Sequence, residues 1–331
     1  MDAKVTKSEV ADTKVRHPGE DELGPFHVFL EEEWARLRAE HPMPLSVDEI
    51  VSLQGFNDRV EPEQVETIYL PVSRLLTYYV TATQGLHQAT HTFLGKKDAA
   101  VPFIIGIAGS VAVGKTTTAR ILQALMQRWP SSPKVELITT DGFLWPNATL
   151  EAENLMERKG FPESYDVISL INFLRDIKAG HPDVIAPVYS HLTYDRVPDK
   201  FAEVHQPDVL IVEGLNVLQT TRLKQERPRV PFVSDFFDFS IYLDADESDL
   251  EHWYVTRFKR LQEKRFTDPR SYFNKYAHLS DTQAEDVARG LWRRINLKNL
   301  RENIDPTKMR ADLILRKGPD HTITEVALRK I

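Results

Sequence analysis

Residues 104–120 read IIGIAGSVAVGKTTTAR, and Gly109, Gly114, Lys115 and Thr116 stand in it at fixed places. Their spacing is G-x-x-x-x-G-K-[ST], a pattern whose backbone N–H groups cradle a row of phosphates. The candidate nucleotide-binding residues are Gly109, Ser110, Val111, Ala112, Val113, Gly114, Lys115, Thr116 and Thr117. Lys115 is placed to neutralise the terminal phosphates, and the Thr116 hydroxyl to face Mg²⁺. The apolar run FIIGIA precedes the loop and TTTARILQALMQRW follows it as a good helix. Strand, glycine loop and helix N-terminus together aim amides and helix dipole at one anion. A plain glycine turn would need neither the lysine nor the threonine. Arg120, one turn further on, is placed either to reach phosphate or to lie solvated on the helix, and the sequence leaves both open.

Carboxylates decide what such a loop does. VELITTDGF places Asp141 just past the end of an apolar run, and DVLIVEGLNVL does the same for Glu213. In open α/β sheets, sites form at these carboxyl ends. One acid can accept the proton of an attacking hydroxyl while the other orients a hydrated metal. Each alone reads as a turn or capping residue; two beside a phosphate loop read as a kinase. The base-reading motif N-K-x-D of GTPases is absent, since FNKYAH lacks the aspartate.

An acceptor pocket is predicted at APVYSHLTYDR, with Tyr189, His191 and Tyr194 offering hydroxyl and imidazole groups. In an extended chain Tyr189 and His191 share a face, and Tyr194 needs a turn to join them. Tyr254, Arg257, Phe258 and Leu261 recur at three and four in HWYVTRFKRLQEKRF. Arg257 is a candidate clamp for a transferring phosphoryl group, or else a solvated helix arginine. His87 and His91 have the spacing of a zinc helix, but no glutamate follows the first, so they read as helix-surface residues.

Positioning these groups requires elements of two textures. From Gly24 to about Gly95 the pattern is helical: PFHVFLEEEWARLR has apolar residues at helical spacing, and Ser46 with Glu49 forms a capping box. Val65, Ile68, Val72, Leu75, Leu76 and Tyr79 make one stripe, which Pro71 is predicted to kink or split. After Val101, short β-branched runs alternate with amphipathic stretches, predicting a parallel sheet covered on both faces. A long helical region is expected from Asp249 to Ile304, and TITEVALRK reads as an edge strand. The predicted organisation is a flexible leader at 1–23, a helical extension at 24–100 and one α/β core at 101–331.

The 331 residues carry 42 Lys plus Arg against 49 Asp plus Glu, a net charge of −7. That balance argues against a dedicated nucleic-acid binder. The absence of cysteine excludes disulfides, zinc ribbons, iron–sulfur clusters and thiol nucleophiles, and predicts a cytoplasmic protein. No apolar run approaches a membrane span and the N-terminus has no signal-like core.

GSVAVGKTTTARILQALMQRWP, VELITTDGFLWPN, KGFPESYD, APVYSHLTYD, IVEGLNVLQ, DFSIYLDA and WYVTRF, in this order, resemble the bacterial-type (type I) pantothenate kinases from about Pro25 onward. The resemblance implies a P-loop kinase fold and ATP-dependent phosphorylation of pantothenate to 4′-phosphopantothenate, the first step of coenzyme A biosynthesis. It also implies Mg²⁺, a homodimer, and feedback inhibition by coenzyme A over the ATP site. By that resemblance Asp141 is the base, and Lys115 and Arg257 stabilise the transferred phosphoryl group. Tyr189, His191, Tyr254 and Asn296 hold pantothenate, while Asn57 and His321 lie near the adenine. Lys115, Arg120 and His191 meet the inhibitor's phosphates. Thr116 stands where serine is usual in the family, and Leu261 where an aromatic is expected. Two other readings are a uridine- or ribulose-phosphate-type kinase of the same superfamily and a nucleotide-gated binding module. The helical extension, the PVYSHLTYD stretch and the lack of switch motifs speak against them.

Overall fold

A computed structural model describes residues 24–56, 58–95, 101–130, 134–220 and 230–330. The expected leader at 1–23 lies outside these residues.

PFHVFLEEEWARLR does not form the single helix that its spacing suggests. Phe26–Leu30 is a strand, β1, and only Glu31–Ala35 is helical, α1. A run of alternating aromatic and apolar residues suits either period, and an available sheet edge decides it. Trp34 on α1 is 1% exposed and donates its indole N–H to Ile68 O at 3.2 Å. The capping box forms at the start of α2 (Val47–Leu53), where Ser46 N donates to Glu49 Oε2 at 2.8 Å and Ser46 Oγ accepts from Glu49 N.

A single turn, α3 (Pro62–Gln64), leads through a π-helical turn at Val65–Tyr69 into α4 (Leu70–Phe93). Pro71 therefore does not split the helix. The widened turn just before it absorbs the missing N–H and the ring's bulk. Val65, Ile68, Val72, Leu76 and Val80 are buried as one stripe.

The core sheet has the order β1-β9-β8-β7-β2-β6-β3, with β2 (Phe103–Gly109), β3 (Val135–Thr139), β6 (Val209–Glu213), β7 (Phe239–Ala245) and β8 (Leu313–Lys317) all parallel. Between them run α5 (Lys115–Met126), α6 (Asn147–Ala152) and α7 (Val167–Lys178). A separate antiparallel hairpin joins β4 (Val184–Ser190) to β5 (Asp195–Val204). β2 and β6 are buried along their whole lengths, as strands covered on both faces must be.

Two further expectations are corrected. The stretch from Asp249 to Ile304 is two helices, α8 (Glu247–Lys264) and α9 (Asp281–Leu291), then π turns around α10 (Leu297–Asn299). The break at 265–280 exists because Phe266, Phe273 and Tyr276 fold back onto Phe258. β9 (Ile323–Arg329) is not the edge: β1 pairs antiparallel along its far side, from Phe26 opposite Arg329 to Leu30 opposite Glu325. The N-terminal segment thus completes the sheet.

That places Trp34 in the shared core. Trp34→Ala should lower the unfolding free energy by about 3–5 kcal/mol, as for a large buried aromatic. Urea unfolding followed by circular dichroism checks this; a loss below about 1 kcal/mol would mean that the N-terminal segment is not packed as described.

Candidate active site

The phosphate loop begins where β2 ends. Gly109 (φ +144°), Ala112 (φ +66°) and Gly114 (φ +96°) take left-handed backbone, folding the loop tightly before α5. Gly114 is required there for its φ, and a Cβ at that position would sit 2.8 Å from Lys317 Nζ. No side chain caps α5, which leaves its first amides free to face an anion. Lys115 Nζ donates to Ser110 O at 2.8 Å, reaching back across the loop. Burial holds its ammonium below the usual lysine range, against the pull of Glu213 and Asp141.

Sheet register brings the acids to this loop. Glu213, the last residue of β6, lies level with Ile107 of β2 and Thr139 of β3. Its Oε1 accepts the Thr116 hydroxyl at 2.9 Å. Burial raises the Glu213 carboxyl, opposed chiefly by Lys115. Asp141 follows β3 in a short 3₁₀ turn and is half-buried. A Cβ on Gly142 would lie 1.9 Å from Pro187 O, so glycine lets the β4–β5 hairpin close against Asp141. The charge of Asp141 acts on Lys115, Lys159 and His191 alike. Carboxylate, hydroxyl and free amides form a hard oxygen and N–H donor set, which suits a Mg²⁺-triphosphate.

The hairpin closes the other wall. Tyr189 and His191 stand edge to face at 5.3 Å, and Tyr194 joins Tyr189 at 6.2 Å through a turn in which it adopts φ +53°. Tyr194 also packs on Tyr272 and Phe273 at 5.1 and 5.0 Å. Burial pushes the Tyr189 and Tyr194 phenols up and the His191 imidazole down, so hydroxyls stay protonated and the imidazole neutral at pH 7. From α8, Tyr254 hydrogen-bonds to Asn296, and the charge of Arg257 acts on Lys115, His191 and Tyr254. Seven side chains predicted from separate stretches are therefore neighbours, linked by ring contacts or by the reach of each other's charge: Lys115, Asp141, Tyr189, His191, Tyr194, Tyr254 and Arg257. Leu261, standing where an aromatic is expected, packs against the buried cluster of Val255, Phe258, Phe266, Ala284 and Ala288.

Residues 104–277 match the phosphoribulokinase / uridine kinase family. A pantothenate kinase of Bradyrhizobium diazoefficiens is 56% identical over 317 residues, covering 96% of this chain and 99% of its own. One from Agrobacterium fabrum is 58% identical over 312 residues, covering 94% and 97%. The chain belongs to the pantothenate kinases. Among solved structures, D-glycerate 3-kinase from Cryptococcus neoformans shares the fold, with a TM-score of 0.50 at 14% identity, covering 77% of this chain and 98% of its own.

Beyond the features that assign it to the pantothenate kinases, a residue that motif spacing did not single out lies against the tyrosines. Lys159, within the quoted KGFPESYD stretch, is 6% exposed and donates to Asn147 Oδ1 and Tyr194 O, both at 2.5 Å. Its ammonium lies 4.2 Å from the Tyr194 ring centroid and 5.2 Å from that of Tyr189. Burial brings its pKa down to about 8, although Asp195 and Asp141 oppose this. A lysine flanked by glycine carried no periodic signal; only the fold reveals it. Thr117, predicted at the nucleotide, turns its hydroxyl instead to Asp58 and accepts from Gly55 N at 2.9 Å. Asn57 lies outside the described residues. Arg120 is exposed on α5. Among the described residues no three His, Cys, Asp or Glu side chains group as metal ligands.

His321 stacks on Trp253 at 3.9 Å with an interplanar angle of 20° and has left-handed backbone at φ +70°. Burial, then Lys317, lowers its pKa from 6.5 to about 4. Between those values the unfolded chain binds the proton and the folded one does not. The stabilisation is complete above pH 6.5 and is lost as pH falls toward 4. His321→Asn, which tolerates the left-handed turn, should flatten that part of the stability–pH curve. Thermal unfolding across pH 7 to 4 checks this; parallel curves for both proteins would refute it.

Proposed function

We propose that this chain phosphorylates pantothenate at its primary hydroxyl, using ATP, to give 4′-phosphopantothenate for coenzyme A synthesis. The observation that carries the reading is Asp141 held between the phosphate loop and the Tyr189–His191–Tyr194 wall, in a chain over half identical to pantothenate kinases along nearly its full length.

Loop amides from Gly109 to Thr117 bind the triphosphate, and Lys115 neutralises its terminal oxygens. Thr116 and Glu213 would hold Mg²⁺, which when bound offsets charge on the β- and γ-phosphates. Tyr189, His191, Tyr194, Tyr254 and Asn296 hold the acceptor, with Lys159 beneath the two rings. Asp141 takes the hydroxyl proton as that oxygen attacks the γ-phosphorus, and Lys115 and Arg257 stabilise charge on the transferring group. His321 serves the base end of the site. Coenzyme A acts as an inhibitor through Lys115, Arg120 and His191.

The reading extends to a cytoplasmic homodimer. No helix among the described residues is long and apolar enough to cross a membrane. α4 presents Tyr78, Ala82, Leu86, Ala89 and Phe93 exposed on one side, with Phe93 at 86%. A second copy of the helix would cover that stripe.

A coupled assay of ADP release decides the activity. Pantothenate should stimulate release, whereas uridine and a blank should not. Asp141→Asn should reduce kcat by about 10²–10⁴-fold with ATP affinity largely kept. Stimulation by uridine alone would overturn the substrate, and a near-normal rate would remove Asp141 as the base. In the same assay coenzyme A should raise the apparent KM for ATP and leave the maximal rate unchanged; inhibition that saturating ATP fails to relieve would disprove overlap.

A further inference from the structure

Lys317 ends β8, and sheet register sets it opposite Ala245, two residues beyond the level at which Gly109 meets Leu243. Its backbone is fixed by the tight turn that follows, where Gly318 N donates to Thr322 O at 2.8 Å and His321 N to Gly318 O at 3.0 Å. The side chain is 3% exposed. Its Nζ lies 2.8 Å from the position a Cβ on Gly114 would take, at the last turn of the phosphate loop. No hydrogen bond or ion pair of this ammonium occurs among the described residues. Its nearest counter-charge is Asp58, whose Cγ lies 3.7 Å from the same point and which accepts the Thr117 hydroxyl.

A buried ammonium without a partner is costly. Hydrophobic burial explains its depressed pKa, which Asp58 only partly offsets. The arrangement makes sense where an anion arrives at the loop. We propose that Lys317 is a second cation of the phosphate cradle, which meets a nucleotide phosphate oxygen at the Gly114 turn. Asp58, anchored by Thr117, keeps the ammonium at that turn before the nucleotide binds. Lys115 and Lys317 thus flank Gly114 from the helix side and the sheet side. The inference rests on ATP binding at the loop.

Lys317→Met and Lys317→Arg test it, with ATP affinity measured by calorimetry without pantothenate and steady-state kinetics measured with it. Lys317→Met should weaken ATP about tenfold to a hundredfold, the range of a charge-assisted hydrogen bond, and raise the KM for ATP in step. The KM for pantothenate should stay within about twofold. Lys317→Arg should recover most of the lost affinity. The melting temperature of nucleotide-free Lys317→Met should not fall, because a buried unpaired charge has been removed. Unchanged ATP affinity in that variant, or equal losses for both substrates, would overturn the role of Lys317. Failure of the unaltered protein to bind ATP would instead overturn the nucleotide reading itself.

Discussion

A half-buried ammonium beside two carboxylates is the constraint that organises this molecule. Lys115 is drawn partly out of water at the start of α5, and the negative groups beside it favour its charged form. Parallel strands supply them at one level. Glu213 is level with Thr139, and Asp141 follows two residues later. A one-residue slip of β6 would turn Glu213 to the opposite face and leave Thr116 without its acceptor. The unbroken apolar character of β2 and β6 protects that register, because burial on both faces penalises any misalignment.

The opposite wall obeys a complementary rule. Burial keeps Tyr189 and Tyr194 protonated, and desolvation shifts the surface-accessible His191 imidazole down, so the wall offers hydrogen bonds while adding little charge. Negative charge comes from Asp141, Glu213, Asp58 and Asp195, and the charge of Asp141 reaches Lys115 and Lys159 while that of Arg257 reaches Lys115 and His191. A polyanion entering this space meets cations at the loop and neutral donors at the hairpin. That asymmetry is what the proposed reaction asks of a site that takes a phosphate donor and an alcohol acceptor side by side.

How far this was legible in the residues depends on the range of the forces involved. The loop, its strand and its helix are local, and the spacing of Gly109, Gly114 and Lys115 announces them. Asp141 and Glu213 stood out because strand ends converge in an open parallel sheet. The hairpin turn at Tyr194 followed from alternation alone. β1 was misread because FHVFL fits two periods and only the remote edge of β9 selects one. The break after Lys264 was missed for a similar reason: Phe266 and Phe273 stack on each other at 5.3 Å, and such ring packing outweighs helical propensity. Lys159 and Asp58 carried no signal because their contacts with Tyr194 and Thr117 span 35 and 59 residues.

The N-terminal segment is consequently more than a cover for the sheet. Tyr69 OH lies 3.2 Å from Thr118 Oγ1, Trp129 Nε1 donates to Ser73 Oγ at 3.1 Å, and Gly55 N donates to Thr117 Oγ1. All three bonds join that segment to α5 or the turn just after it, and two of them reach the helix's first turn. Tyr69 is fully buried, and burial raises its phenol to about 12, so the hydroxyl remains protonated and able to donate over the working pH range. The helix whose free amides face the phosphates is therefore braced from behind by residues far away in sequence. Loosening those bonds would tilt the amides away from their common target. Phosphate recognition and N-terminal packing are consequently one mechanical unit.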